Sequence, residues 1–279
     1  SFVNKFLILI VLYESQAKDS LSYISLLKSS EYLSASKLIL WDNSSSIQSI
    51  NTDNISFLQQ AEYIHTTENM SLSKIYNRVI QDNDEYDYLI LLDQDSSFSS
   101  DYLEKLNSAI IKHPSINLFL PLIKSQQTIV SPGDYKIFKG SYWKKERYGI
   151  IDAKNILAIN SGMVINFNYL KNIYKGYDER LRFYGTDTFF MLEYAEDNDF
   201  LFVMDYVFKH KSALLDRDEN IDKQIMRLND LFFSWKITNE HNKFNLLLIN
   251  IYILLKIFKF VIKYKNFKYL ELLKIHSYD

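Results

Sequence analysis

Two aspartates separated by one residue end an apolar run: Tyr88-Leu89-Ile90-Leu91-Leu92 leads directly into Asp93-Gln94-Asp95-Ser96. In extended backbone, residues i and i+2 project to the same side, so both carboxylates can approach one point. Two like charges held that close are costly unless a cation lies between them. Mg²⁺ and Mn²⁺ take oxygen ligands of this kind and commonly bridge to substrate phosphates. The competing reading is a solvated turn that carries two exposed acids. The chain contains no cysteine, which removes thiolate metal sites and thiol nucleophiles.

The elements around this triplet follow a repeated pattern. Apolar, β-branched runs at 6–12, 37–41 and 87–92, with a weaker one at 62–65, read as buried strands. The first run is short for a signal-sequence core, and Tyr13-Glu14-Ser15 follows it where a small-residue cleavage site would be needed. Helical spacing separates the runs: Leu21, Ile24 and Leu27; then Leu72, Ile75, Tyr76 and Val79; then residues 101–111. Strand alternating with amphipathic helix predicts an α/β sheet flanked by helices, with ligands at the carboxyl edge of the parallel strands. Residues 124–154 hold three of the six glycines and the cluster Tyr142, Trp143, Lys144, Lys145 and Arg147. They read as a long connection or lid. Strand-like sequence follows at 156–167 and 200–208, with a helix at 188–196.

Composition narrows the function. The first glycine is Gly133, so neither a P-loop nor a GxGxxG cradle exists in the N-terminal half. A net charge of −2 gives no support for nucleic-acid binding. Charge is unevenly distributed, however. Residues 243–279 carry seven lysines against Glu271 and Asp279, a net +5, which leaves −7 on the rest of the chain. The division expected is a domain at 1–217 and a helical, basic, amphipathic segment at 218–279. Lys256, Lys259 and Lys263 share a helical stripe in an otherwise apolar stretch. Lysines in that stretch argue against spanning a bilayer and for lying on an anionic one. A helix packed on its own domain, or on a second copy in a homodimer, is the alternative.

Taken in order, the motifs resemble family 2 nucleotide-sugar glycosyltransferases of the GT-A fold, and among them the bacterial rhamnosyltransferase-like and polysaccharide-assembly members. The resemblance covers about residues 3–212. It is carried by Leu12-Tyr13-Glu14, Trp41-Asp42-Asn43-Ser44-Ser45, Glu68-Asn69-Met70-Ser71 through Asn77, and Leu92-Asp93-Gln94-Asp95-Ser96. Asn160-Ser161-Gly162-Met163 and Gly176-Tyr177-Asp178-Glu179 through Tyr184-Gly185-Thr186-Asp187-Thr188 complete it. The resemblance implies a GT-A, Rossmann-like mixed sheet with a C-terminal helical extension. It implies an inverting, metal-dependent hexosyltransferase using a UDP-, dTDP- or GDP-linked donor with Mg²⁺ or Mn²⁺. The acceptor would be a glycan or lipid-linked oligosaccharide of a surface polysaccharide such as O-antigen or capsule. The enzyme would be cytoplasmic and peripheral on the inner face of the cell membrane.

Position by position, the resemblance implies that Asp42, Tyr13 and Glu14 line the nucleoside pocket and that Asn69 and Lys74 lie near the base or phosphates. Asp93 and Asp95 would meet ribose, metal and diphosphate, His210 would add a metal ligand, and Asp187 would be the catalytic base. Each has a plainer alternative. Asp42 or Asp187 can cap a helix, His210 can be an ordinary structural histidine, and Trp143 can either stack on acceptor sugar or pack a loop. The pattern departs from the family at Thr186, where an acid is usual, and at Ser71, where glycine is usual. It also lacks a clear Q/R-x-x-R-W motif, because Arg227 and Trp235 are too far apart. A nucleotidyltransferase shares this architecture but would need the missing glycine- and basic-rich phosphate loop. A catalytically degenerate, membrane-peripheral scaffold is the non-enzymatic reading.

Overall fold

The computed structural model describes residues 4–210 and 220–275. In chain order the elements are β1 (Phe6–Leu12), α1 (Leu21–Leu27), β2 (Lys37–Asp42), β3 (Gln60–His65), α2 (Leu72–Gln81), β4 (Tyr88–Leu92), β5 (Ser96–Ser97) and α3 (Asp101–Lys112). There follow β6 (Leu118–Ser125), β7 (Thr128–Ser131), β8 (Gly133–Lys136), β9 (Lys139–Tyr142), β10 (Gly149–Asp152), β11 (Ile156–Leu157), β12 (Val164–Asn166) and α4 (Phe167–Asn172). The last are α5 (Thr186–Asp197), β13 (Phe200–His210), α6 (Ile221–Thr238), α7 (Lys243–Tyr264) and a 3-10 segment, Phe267–Leu273.

The main sheet runs β10-β13-β6-β12-β4-β1-β2-β3, with β5 added to β13 and β7 to β6. β4, β1, β2 and β3 are mutually parallel, and antiparallel β12 joins them to the β6–β13 half. The chain leaves β1 toward β2 and β3, then returns to its other side at β4. The carboxyl ends of β1 and β4 therefore meet at a topological switch point, where open α/β sheets bind ligands.

The central strands have apolar side chains on both faces because both faces are covered. On β1, Leu7 and Leu9 enter one core layer with Ile75, Tyr76, Tyr169 and Phe190. Phe6, Ile8, Ile10 and Leu12 enter the other with Tyr23, Leu26, Tyr102 and Leu106. Each buried side chain of this size contributes roughly 1.5–3 kcal/mol of transfer free energy. A third cluster joins Phe138 to Leu228 and Phe232 of α6, Ile249, Ile253 and Ile257 of α7, and Tyr269 and Leu272 beyond it.

Residues 124–154 depart from the expected irregular connection. They form β7 to β10, and β8 pairs with both β9 and β11 in a second, three-stranded sheet. Ile137 and Phe138 turn the β8–β9 hairpin, with Ile137 at φ 61°. That pair has no turn preference of its own, and burial of Phe138 in the third cluster holds it in place. Trp143 is buried, donates from Nε1 to Asp134 Oδ1 at 3.0 Å and carries the Arg147 guanidinium over its ring. It packs the loop, the second of its two expected roles. The domain boundary expected at 217/218 lies outside the described residues.

Gly185 marks where the C-terminal helices meet the sheet. It precedes α5 at φ 84°, and a Cβ there would lie 2.4 Å from Cβ of Ser234 on α6. Both the left-handed backbone and the close helix approach require glycine. Gly185→Ala is expected to cost about 2–4 kcal/mol, measured as a lower urea midpoint with unchanged m-value.

Candidate active site

Asp93 follows β4, and its Oδ1 collects three hydrogen bonds. They come from the Asp95 amide at 3.2 Å, the Ser96 hydroxyl at 2.9 Å and the Ser161 hydroxyl at 3.0 Å. Ser161 is brought there by the turn into β12. Gly162 donates its amide to Leu91 O at 2.7 Å with φ 82°, and a Cβ at that position would lie 2.6 Å from Pro121 Cγ. With Oδ1 occupied, Oδ2 of Asp93 lies 3.7 Å from Nδ1 of His210. The short strand β5 explains this meeting, because Ser96 pairs with His210 directly after the acidic triplet.

Gln94 ties the ends of β1 and β4 together. It accepts the Tyr13 amide through Oε1 at 2.9 Å and donates through Nε2 to Tyr13 O at 3.4 Å. Asn43, beyond β2, gives its amide to Leu12 O and its side-chain Nδ2 to Met70 O, and its Oδ1 accepts from Thr66. The three loops at the switch point are thus fastened to one another.

These loops, α2, the start of α5 and one face of α6 enclose a cavity of about 700 Å³. Tyr13, Asn69, Asp93 and Asp187 line it, together with Asn43, Tyr76 and Asn160. Other expected site residues are placed differently. Asp42 is fully buried, with Oδ1 accepting the Ser44 amide and Oδ2 accepting from Gln48 Nε2 and the Tyr63 hydroxyl. Burial works against its charge, but the hydrogen bonds from Ser44, Tyr63 and Gln48 outweigh burial and hold it below the usual carboxylate range. No helix follows Asp42, so it anchors the loop after β2 and caps nothing. Glu14 takes the Ser45 amide and hydroxyl. Lys74 is exposed on α2 between buried Ser73 and Ile75. Leu72 and Tyr76, four residues apart, line the cavity, and a residue midway between them points elsewhere.

Asp187 lies in the first turn of α5, where Oδ1 accepts the Thr188 amide at 2.8 Å. Burial pushes its carboxyl up to about 6, against the lowering effect of that bond. Thr186, the departure from the expected acidic pair, is buried and accepts from Asn160 Nδ2 at 2.9 Å. Asn160 Oδ1, the other end of that amide, is buried without a partner. Asp178 of the Gly-Tyr-Asp-Glu segment pairs with Arg180, which also holds Glu240 beyond α6. That acid therefore ties the segment to the C-terminal helices.

Four lining residues carry no recognisable spacing: Arg182 before α5, and Met226, Arg227 and Asp230 from α6. Docking of α6 over the sheet edge places the last three there, and Arg182 is held by its side-chain bond to Asn69 O and by the Leu72 amide on its carbonyl. Asp187 also lines a second cavity of about 270 Å³, between α5 and α6, with Tyr135, Phe138, Trp235 and Asn239 in its wall. It therefore stands between two spaces.

Of the expected cation ligands only Asp93 lines the first cavity, and a divalent cation fits at its edge, between Asp93 and His210. Nδ1 of His210 is buried without a hydrogen-bond partner, facing Asp93 Oδ2. A separation of 3.7 Å is too long for a hydrogen bond, yet both atoms can sit about 2.1 Å from one ion. Asp95 is two residues along. No cage of three acidic or histidine side chains is preformed among the described residues.

No protein-family model and no curated protein matches this chain. Solved structures do. Residues 1–349 of S. aureus TarS align at TM-score 0.55 and 16% identity, covering 86% of this chain and 74% of that one. The same protein in complex with UDP-GlcNAc aligns at 0.53 and 12%, covering 82% and 66%. GalNAc-T7 with UDP, GalNAc and Mn²⁺ aligns at 0.61 and 12%, covering 85% of this chain but 48% of its own. The architecture is the GT-A glycosyltransferase fold.

The burial of Asp187 carries a stability consequence. Its folded value, about 6, lies above the ordinary 3.8, so the folded chain binds more protons than the unfolded chain between those values. Stability falls as pH rises through that window, and the cost is complete above it. Asp187→Asn is expected to raise the melting temperature by a few degrees at pH 7, an advantage that disappears below pH 4. A lower melting temperature at pH 7 would contradict the placement.

Proposed function

We propose that this chain is an inverting glycosyltransferase that moves a sugar from a nucleoside-diphosphate donor to an acceptor hydroxyl. The observation that carries the reading is the pair of carboxylates in one cavity. Asp93 is fixed by hydrogen bonds at the sheet edge, and Asp187 is held in an environment that raises its proton affinity. The GT-A architecture supports it, as do the UDP-GlcNAc and the UDP with Mn²⁺ in the two similar structures.

In this reading the nucleoside lies against Tyr13, Asn43 and Asn69, and its diphosphate points toward Asp93, with Arg182 and Arg227 adding positive charge. Asp93, His210 and Asp95 would hold a divalent cation, whose chemistry is to neutralise charge on the departing diphosphate. The smaller cavity receives the acceptor sugar on aromatic faces and presents its hydroxyl at Asp187. Asp187 takes the hydroxyl proton as the acceptor oxygen bonds to C1 and the C1–oxygen bond to the diphosphate breaks. Attack from the side opposite the leaving group inverts the anomeric centre, and no covalent sugar–enzyme intermediate forms. The acceptor is a glycan, lipid-linked in a surface-polysaccharide assembly.

A panel of UDP-, dTDP- and GDP-sugars with Mn²⁺ or Mg²⁺ tests the reading. Transfer is expected with at least one donor, and Asp187→Asn should reduce kcat by at least about 10²-fold. Since Asp187 must be ionised to accept a proton, kcat/KM should fall on the acid side with an apparent pKa near 6. Undiminished transfer by Asp187→Asn would refute the base assignment. His210→Ala should raise the Mn²⁺ concentration for half-maximal activity by at least about tenfold, and an unchanged metal requirement would remove His210 from the site.

A further inference from the structure

α7 is 22 residues long and apolar enough to cross a bilayer, yet only one side of it is covered. Ile249, Ile253 and Ile257 are buried against α6 and the segment 267–273. Leu247, Ile251, Leu254, Leu255, Phe258 and Ile262 are 45–76% exposed. At about 100° per residue, the exposed set centres roughly 150° from the buried one. The helix is therefore apolar on two opposite faces, and the protein covers one. The outward stripe runs from Leu247 to Ile262, over about 22 Å. Lys256, Lys259 and Lys263 fall on one flank between the two faces, about 120° from the stripe.

We infer that α7 lies in the plane of an anionic lipid bilayer, its exposed stripe in the acyl boundary and its lysines at headgroup level. Charge selects this occupant. The segment 243–279 carries net +5 on a chain of net −2, and its lysines flank an apolar stripe, the pairing of charge and apolar surface that an anionic bilayer complements. Spanning is opposed by the covered side. Lys268 pairs with Asp222 at the start of α6, and Tyr269 bonds Gln224, so a spanning α7 would either lose this packing or take those polar groups into hydrocarbon. An in-plane helix keeps it, and long lysine stems reach the interface as they do on membrane-surface helices. The inference does not depend on the transferase reading.

Flotation of the full chain with vesicles tests it. Recovery is expected with vesicles containing phosphatidylglycerol and to be much lower with pure phosphatidylcholine, and high salt should weaken it. Changing Lys256, Lys259 and Lys263 to Glu should reduce partitioning onto anionic vesicles by at least about tenfold. Leu255→Glu with Phe258→Glu should abolish it. Leu255 and Phe258 lie on the outward side, so circular dichroism and melting of that pair should match wild type; Lys256 touches the Tyr252 and Phe260 rings, so Lys259→Glu with Lys263→Glu is the charge variant read if the triple change lowers melting. Ile262→Glu, at the most exposed position of the stripe, provides a second apolar variant if the pair misfolds. Absence of wild-type flotation, or equal flotation by the glutamate variants, would overturn the inference. A dimer by light scattering that Phe258→Glu dissociates would assign the face to a second copy. Resistance to alkaline extraction would assign the helix to spanning.

Discussion

A carboxylate that must present one oxygen to a ligand has to have its other oxygen held. Asp93 meets that requirement with three donors on Oδ1, one from its own turn, one from β5 and one from the loop before β12. Those donors come from segments up to 68 residues apart, and each needs a local condition to arrive. Gly162 permits the turn that carries Ser161, and the pairing of Ser96 with His210 brings an imidazole to the other oxygen. The switch in strand order places β4 beside β1 so that this loop and Tyr13 share one edge. The arrangement is preorganised, because the hydrogen bonds that fix Asp93 are made within the chain itself.

Asp187 is governed by the opposite condition. It is poorly solvated and has few bonds to its charged form, which raises its affinity for a proton. The two carboxylates of one cavity thus sit in contrasting environments, a pattern by which acid and base roles are separated at a single pH. Docking of α6 completes that environment, and Gly185 is the point at which the docking is possible. The helical segment after the sheet therefore has two tasks. α6 walls the cavity with Met226, Arg227 and Asp230, and α7 rests on it with its apolar stripe outward.

Much of this was legible in the chain. The runs that became β1, β2 and β4 were readable because strands buried on both faces show as unbroken apolar sequence, and the acidic triplet stood out where one of them stopped. The hairpin of β8 and β9 was not readable, because Ile137-Phe138 turns through burial of Phe138 and not through turn chemistry. Lys74 and Asp42 show a different failure. Motif position places a residue near a pocket, but the phase of a helix or the pull of Ser44, Gln48 and Tyr63 decides where the side chain goes. Arg182 and Arg227 were hidden for a third reason. They are 45 positions apart in sequence, and only the tertiary approach of α6 brings them to one wall.

The central claim is that a donor's diphosphate lies at Asp93 while Asp187 faces the sugar carbon from the opposite side. A crystal structure with an intact nucleotide sugar and Mn²⁺ measures both at once. The account predicts an anomalous manganese peak between Asp93 and His210, and the anomeric carbon turned toward the Asp187 carboxylate. A manganese peak away from Asp93, or a donor whose phosphates occupy the Asp187 side of the cavity, would contradict it.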